Sequence, residues 1–360
     1  MSKRNSKIEL LRIISIFLIV LSHYVVHSGA NIHDLSFGFN KIILEMSILG
    51  NIGTMLFVLI SGYFLINSDE VKLKKIIHFW LQVFFYSFFI YLLLLLINKE
   101  TFDIKNLVLN SFPITFKRYW FATAYFILYL FHPHINKFLN SLSQREHFNF
   151  IILGVVIFYL LSTITTMNYY GNELLYFLII YATGAYLSKY KNNFLYRNCN
   201  DLKIMISSIV LIFLSIILFE ILGFKFTFFK DHSTYFLNMN SILVLLFSVS
   251  LFAFFARQKQ SSNKTVNWIS SLVFGIYLIS DNKYLREIIW CNLLKNREFF
   301  SSNILVLHIL SSAFIVCIVC ILIELIRKKF FDVFVYKYLD NKLEKLDIFL
   351  KAKINSLNIE

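Results

Sequence analysis

Charged, turn-forming and cysteine residues are all scarce in this chain of 360 residues. Only 16% of its residues are charged, whereas an ordinary soluble domain has about 25%. Two prolines and ten glycines exclude the collagen-like, linker-rich and disordered classes. Among the four cysteines, Cys317 and Cys320 have a C-x-x-C spacing, but they lie within an apolar run. That setting argues against a redox or zinc-binding pair.

Hydrophobic residues are abundant, at 58% of the chain, and phenylalanine alone supplies 41 residues. A chain this apolar cannot bury its surface in water, so the sequence predicts that a lipid bilayer is its solvent. The net charge of +14 does not indicate nucleic acid, because the basic residues are scattered between apolar segments instead of forming a patch.

Ten apolar runs approach or exceed the roughly 17–25 residues that a membrane-spanning helix needs. The sequence therefore predicts an all-α integral membrane protein, a bundle of about ten transmembrane helices. No internal repeat is visible, which disfavours an inverted-repeat transporter. The predicted spans are 8–28, 42–66, 76–97, 119–135, 148–166, 173–188, 204–222, 235–256, 267–282 and 303–326.

The distribution of lysine and arginine predicts the orientation of these spans. If the N-terminus is cytoplasmic, 24 of the 35 basic residues lie on the cytoplasmic side, as the positive-inside rule requires. Both termini are therefore predicted to be cytoplasmic. The first span is too long for a signal peptide, and no small-residue cleavage site follows it. We predict a polytopic membrane domain over 1–327 and a cytoplasmic tail over 328–360.

The tail has its own pattern. Apolar residues recur every three or four positions over 335–357, with lysine and acidic residues between them. This spacing predicts an amphipathic helix with a basic face, whose partner is the lipid of the inner leaflet. A helix that joins two copies of the chain is the alternative, so a homodimer stays open.

The first span carries ionisable residues on one face. Arg12 and His23 are 11 residues apart, which places them within roughly 20° of each other and about 16 Å apart along a helix. Glu9 precedes Arg12 by three residues and can pair with it. An ionisable group deep in an apolar span usually faces a bundle interior or a cavity. From position alone, a structural hydrogen bond and a functional role are equally open for His23.

Four later stretches favour a functional role for His23. They lie at residues 55–75 (MLFVLISGYFLINSDEVKLKK), 119–136 (YWFATAYFILYLFHPHIN), 174–187 (LLYFLIIYATGAYL) and 271–290 (SLVFGIYLISDNKYLREIIW). Together with Arg12 and His23, they resemble the membrane-bound acyltransferase-3 family, whose bacterial members O-acetylate surface glycans. The resemblance is spread over most of residues 8–327, and it implies a ten-helix bundle.

The resemblance also implies roles for residues on the first two spans. His23 matches the family's essential histidine, a general base that takes a proton from the acceptor hydroxyl, and its ordinary pKa suits that role. Arg12 matches the family's arginine, and Glu9 stands where an aspartate is frequent. Lys72 and Lys75 occupy the spacing of a cytoplasmic arginine pair. They would contact the phosphates of acetyl-CoA, although simple positive-inside anchoring explains them equally well.

One position departs from the related sequences. Where these often have a histidine before Asp-Asn, this chain has Ser280, followed by Asp281 and Asn282. If that histidine contributes to acceptor binding or proton transfer, the departure implies a modified site or reduced activity. Asp281, Asn282 and Arg286 could bond sugar hydroxyls, and a solvated helix end is the plainer interpretation.

Other candidates are weaker. Tyr119 and Trp120 could form a platform for a sugar ring or belong to the interfacial aromatic belt. Gly62 is expected to permit close helix packing. His132 and His134 have no acidic or cysteine partner nearby in the sequence, so no metal site is expected.

The sequence thus predicts a membrane O-acetyltransferase in a bacterial plasma membrane. Its donor would be acetyl-CoA, with no permanently bound cofactor, and its acceptor a surface glycan or lipid-linked sugar. A polysaccharide flippase without acyl-transfer activity is the alternative. A glycan polymerase is disfavoured because the predicted outer loops are short.

Overall fold

The computed structural model describes residues 5–165 and 173–356. Within these ranges the chain is helical and has no strand. Short 3₁₀ and π segments connect some of the α-helices. The α-helices are α1 (Ser6–Val26), α2 (Phe39–Met46), α3 (Gly50–Leu65), α4 (Leu73–Leu96), α5 (Ile104–Ser111), α6 (Trp120–Ser141), α7 (Gln144–Val155), α8 (Leu161–Thr165), α9 (Glu173–Lys189), α10 (Asn200–Gly223), α11 (Thr227–Asp231), α12 (Ile242–Ala256), α13 (Lys264–Ser270), α14 (Val273–Ser280), α15 (Leu285–Glu287), α16 (Leu305–Phe331) and α17 (Lys337–Ser356).

Seven helical stretches of the described residues are long and apolar enough to cross a membrane. The all-helical membrane architecture predicted from the sequence is therefore confirmed. Helices α6, α9 and the α13–α14 pair fall outside this set, so the number of ten spans stays a prediction. The seven stretches are Ser6–Val26, Phe39–Leu65, Leu73–Leu96, Gln144–Thr165, Asn200–Gly223, Thr227–Ala256 and Leu305–Leu350.

Among the predicted spans, the second and the ninth are each split into two α-helices by a non-helical break. The second consists of α2 and α3, and the ninth consists of α13 and α14. At both breaks a serine hydroxyl bonds a carbonyl of the preceding turn: Ser47 Oγ to Ile43 O and Ser271 Oγ to Trp268 O, each at 2.7 Å. Such side chains compete with the helical hydrogen-bond ladder. The second break leaves α14 as a short, separate helix of eight residues, seven of which are buried.

The core of the bundle is built where α3 crosses α1 and α9. A Cβ added to Gly62 would clash with the carbonyl oxygen of Tyr181 on α9, and one added to Gly184 would clash with that of Leu59 on α3. Gly53 meets Ser15 of α1 in the same way. Because glycine lacks a Cβ, these backbones approach closely. The predicted packing role of Gly62 is confirmed.

The outer helices have a broad apolar surface. On α10, large side chains such as Ile206, Leu214, Leu218 and Ile221 are about half exposed. A contiguous apolar surface of this kind is what a membrane-facing helix presents. The inner helices α1 and α3 therefore form the core, and α10 forms part of the rim.

The histidine beside Pro133 has a structural role. Pro133 lies inside α6, and a proline lacks the N–H that would bond the carbonyl of Tyr129. The Nδ1 of His132 contacts that carbonyl oxygen at 2.6 Å, and its Nε2 lies 3.2 Å from Ser68 Oγ. His132 thus compensates for the hydrogen bond that the proline removes.

The C-terminal residues 337–356 form α17, the helix that the spacing predicts. Asp340 of α17 binds Lys74 at 2.5 Å and His78 at 2.8 Å, both on α4. The ring of Tyr336 stacks on His78 with centroids 3.8 Å apart. These contacts fix the start of α17 to the N-terminal end of α4.

Candidate active site

A cavity of about 860 Å³ lies at the N-terminal end of α1. Residues of α1, α3, α4 and α6 form its wall, and both cationic and aromatic side chains face it. The cavity is therefore lined by charged as well as aromatic side chains. Its lining includes Glu9, Arg12, Ser61, Lys75, Phe79, Tyr125 and Tyr129.

Arg12 and Glu9 form the charged pair of this cavity. Their side chains are 3.7 Å apart, which confirms the pairing predicted from their spacing. The side chain of Glu9 is 7% exposed and accepts a hydrogen bond from Ser270. The side chain of Arg12 is 33% exposed and keeps contact with the cavity. Glu9 thus anchors Arg12 to α13.

A smaller cavity of about 330 Å³ also borders Glu9 and Arg12 and is lined by Phe57, Phe121 and Phe274. Beyond it, the ring of Phe121 packs edge-on against Tyr277 of α14, with centroids 5.6 Å apart. Tyr277 lies three residues before Ser280. An aromatic layer therefore separates the cavities from the end of α14.

A cluster of four polar side chains lies at the C-terminal ends of α1 and α14. His23 Nδ1 is 3.1 Å from Ser280 Oγ. His23 Nε2 lies 3.9 Å from Asp281 Oδ1, and His27 Nε2 lies 3.1 Å from the same oxygen. The side chains of His23, His27 and Asp281 are 10–13% exposed. We call these four residues the histidine cluster.

Neighbouring residues hold the cluster in place. The indole of Trp290 donates to the Ser280 carbonyl at 3.3 Å, and its ring lies 6.5 Å from that of His23. Arg286 is close enough to interact electrostatically with both His23 and Asp281. The histidine cluster is therefore nearly buried, and the guanidinium of Arg286 lies beside it.

Tyr119 and Asn282 form a tie between α6 and the end of α14. Tyr119 donates to the Leu278 carbonyl at 3.1 Å, and the Asn282 amide donates to the Tyr119 hydroxyl at 2.6 Å. Tyr119 is 2% exposed and Asn282 is 3% exposed. Trp120 packs against Phe121 and Phe177. The tie fixes the position of the neighbouring Asp281.

The structure divides the residues singled out from the sequence into two groups. His23, Ser280, Asp281 and Arg286 come together, with Tyr119 and Asn282 beside them. Glu9, Arg12 and Lys75 lie at the cavity. Lys72 lines neither of the two cavities described above.

His27 is the site residue that the sequence analysis missed. It follows His23 by four residues, and its ring centroid lies 4.9 Å from that of His23. The i, i+4 spacing places both rings on one helix face, and this signal was present in the sequence. What the sequence did not show is that one carboxylate oxygen of Asp281 lies near the Nε2 atoms of both rings.

The sequence of the chain also matches a known family. An all-helical bundle with helices of membrane-spanning length and nearly buried histidines defines a membrane protein whose interior carries reactive side chains. The family model of the acyltransferase-3 acyltransferase domain matches residues 5–325, and the chain belongs to this family. The resemblance noted from the motifs is confirmed. Membership implies a membrane acyltransferase and does not favour the flippase alternative. No curated protein and no solved structure matches the chain.

Proposed function

We propose that this protein is a membrane O-acetyltransferase of a bacterial plasma membrane. It transfers the acetyl group of cytoplasmic acetyl-CoA to a hydroxyl of a surface glycan or lipid-linked sugar. The observation that carries this proposal is the environment of His23. Its Nδ1 is bonded to Ser280 and its Nε2 faces a carboxylate, inside a chain of the acyltransferase-3 family.

The histidine cluster suits a general base. If His23 Nδ1–H donates to Ser280 Oγ, the lone pair lies on Nε2, which is free to accept a proton. Nε2 takes the proton of the acceptor hydroxyl while that oxygen attacks the thioester carbonyl. The carbon–sulfur bond then breaks, and the coenzyme A thiolate receives the proton from the His23 imidazolium. Asp281, whose Oδ1 lies 3.9 Å from His23 Nε2, stabilises the imidazolium in between through its negative charge.

The cavity suits the donor. Arg12 and Lys75 offer positive charge to the phosphates of acetyl-CoA, with Lys72 nearby in the sequence as a further charge. The thin pantetheine arm would pass the aromatic layer of Phe121 and Tyr277 toward His23. This route requires the predicted orientation, in which the N-terminus and the cavity are cytoplasmic.

The residues after α14 suit the acceptor. Asp281, Asn282 and Arg286 offer donors and acceptors to sugar hydroxyls, and Tyr119 with Trp120 offers aromatic surface. Because Tyr119 and Asn282 already bond each other, we assign them the support of this surface and assign direct contact to Asp281 and Arg286.

The test is the turnover of radiolabelled acetyl-CoA by the purified full chain in detergent or nanodiscs. His23→Gln should lower acetyl transfer by about 10²–10⁴-fold, the usual contribution of a general base. His232→Gln is the control, because His232 is exposed and lies outside the cluster. Transfer at the wild-type rate by folded His23→Gln would contradict the assignment. A flippase would show no thioester turnover in any variant.

A further inference from the structure

Three metal-ligating atoms converge at the histidine cluster. The Nε2 atoms of His23 and His27 and a carboxylate oxygen of Asp281 all lie within 4.8 Å of one another. Two of the separations are 3.1 and 3.9 Å. A tetrahedral Zn²⁺ with bonds of about 2.0–2.1 Å separates its ligand atoms by roughly 3.3 Å. The separations of 3.1 and 3.9 Å lie on either side of this value, so small side-chain movements would bring the three atoms onto one face of such a tetrahedron.

The surroundings of these atoms also fit a metal site. Histidine ligands usually donate their second ring N–H to a fixed acceptor, which holds the ring in place. Ser280 Oγ gives His23 this partner at 3.1 Å. The two histidines are spaced i, i+4 on one helix face, the spacing by which a helix places two histidines on zinc. Asp281 comes from a second helix end, so the set spans two elements.

We propose that His23, His27 and Asp281 bind one divalent cation of the zinc class, with the fourth position open. Metal binding and the proposed reaction compete for one atom. A cation on His23 Nε2 occupies the lone pair that general-base catalysis needs. Occupied and catalytically competent states are then mutually exclusive, and zinc inhibits acetyl transfer. The inhibition, but not the binding, rests on the proposed function.

Arg286 sets the balance of charge. Its guanidinium interacts electrostatically with His23 and Asp281, and it opposes a second positive charge at the site. With two neutral histidines and one carboxylate, the site has a single negative charge to offer a dication. Removal of the Arg286 charge should therefore tighten binding, which a purely structural cluster does not predict.

The experiment measures metal binding directly, without substrate. The full-length purified chain is titrated with Zn²⁺ by calorimetry and with Co²⁺ by visible absorption, which reports the coordination geometry. We expect one ion per chain. His27→Gln and Asp281→Asn should weaken binding at least tenfold, Ser280→Ala by about 10–100-fold, and Arg286→Gln should strengthen it. His232→Gln should bind as the wild type does.

Failure of wild-type binding, or equal affinity in His27→Gln and wild type, overturns the proposal. Thermal unfolding of each variant shows whether it folds. If a ligand variant does not fold, Ser280→Ala still tests the site, because it retains all three ligands. Acetyl transfer is then assayed with and without Zn²⁺. Zinc binding in a chain that turns over no thioester would leave the site in place and refute the proposed function instead.

Discussion

Ser280 contacts the cluster through both its side chain and its backbone. Its hydroxyl lies 3.1 Å from His23, and its carbonyl accepts the Trp290 indole. The residue is fully buried. A serine in a membrane helix commonly bonds its own backbone, and here it reaches another helix instead. The residue at this position therefore sets part of the immediate environment of His23.

Ser280→Ala should lower acetyl transfer by about tenfold, because His23 loses the partner that orients its ring and fixes its tautomer. Ser280→Thr keeps the hydroxyl and should restore most of the rate. The measurement is kcat together with its pH profile for both variants. Equal rates in Ala, Thr and wild type would mean that the Ser280 hydroxyl does not orient His23.

Ser280→His should change acceptor choice more than donor hydrolysis. The larger ring in a fully buried position displaces its neighbours, at a cost of about 1–3 kcal/mol for overpacking, and adds a further titrating group to His27 and Asp281 beside His23. Transfer to a panel of glycan acceptors is compared with uncoupled acetyl-CoA hydrolysis. Identical acceptor profiles for the two proteins would exclude a role of this position in specificity.

The two lysines give a matched pair on the donor side. Lys75 lines the cavity and Lys72 does not. Lys75→Gln should raise the KM for acetyl-CoA several-fold with little change in kcat, whereas Lys72→Gln should have a smaller effect. Steady-state kinetics on both variants check this. A larger effect at Lys72 would place the phosphates outside the cavity.

At the scale of elements, the α3–α9 crossing is the tightest contact described. Gly62 and Gly184 lie opposite carbonyl oxygens of the partner helix. Any side chain at either position separates the two helices. Since α3 also contacts α1 through Gly53, separation would propagate to the helix that carries His23.

Gly184→Ala should destabilise the protein by about 1–3 kcal/mol through overpacking, and it should lower the melting temperature. Gly38→Ala is the control, since a Cβ there meets nothing within 4 Å and the backbone is extended. Both melting temperatures are measured in the same detergent. An unshifted Gly184→Ala would show that the helices adjust without cost.

The sequence predicted the helices better than their interruptions. Apolar length locates α1, α4 and α10 well, because lipid imposes one dominant requirement on them. The breaks before α3 and α14 depend on serine side chains that bond the backbone, and similar serines occur inside unbroken helices, such as Ser15 in α1. The Arg12–Glu9 pair is local and was predictable. The approach of Asp281 to His27 joins residues 254 positions apart, which no local pattern encodes.

At the scale of the whole molecule, a buried ion pair joins distant segments. Lys41 of α2 binds Glu220 of α10 at 2.8 Å, with side chains 1% and 3% exposed. Glu45 accepts a hydrogen bond from Ser233 at 2.5 Å. Ser233 also lies 3.2 Å from His33 Nδ1, and burial together with the Lys41 charge lowers the pKa of His33. A mostly neutral His33 therefore completes this network at neutral pH.

Lys41→Met should cost about 3–5 kcal/mol of stability, because it leaves Glu220 as an uncompensated buried charge. The double variant Lys41→Met/Glu220→Leu should regain most of that loss. Breaking the exposed Lys117–Glu173 pair, with side chains 52% and 33% exposed, should cost at most about 1 kcal/mol. Thermal unfolding measures all four proteins. Equal losses at the two pairs would argue against the burial of Lys41.

The small buried fraction of α10 leads to an evolutionary expectation. Only 22% of the apolar stretch of α10 is buried inside the protein, against 56% for α1. On the lipid-facing side any apolar residue serves, so selection there acts on bulk hydrophobicity and not on identity. Lineages of this protein should accumulate Leu, Ile, Val and Phe exchanges freely along α10, while Ile212 and Ile216 on its buried face change slowly. Neutral substitutions would thus be concentrated on the rim of the bundle. Substitutions on α1, which carries His23, would instead accompany changes in the reaction that the protein catalyses.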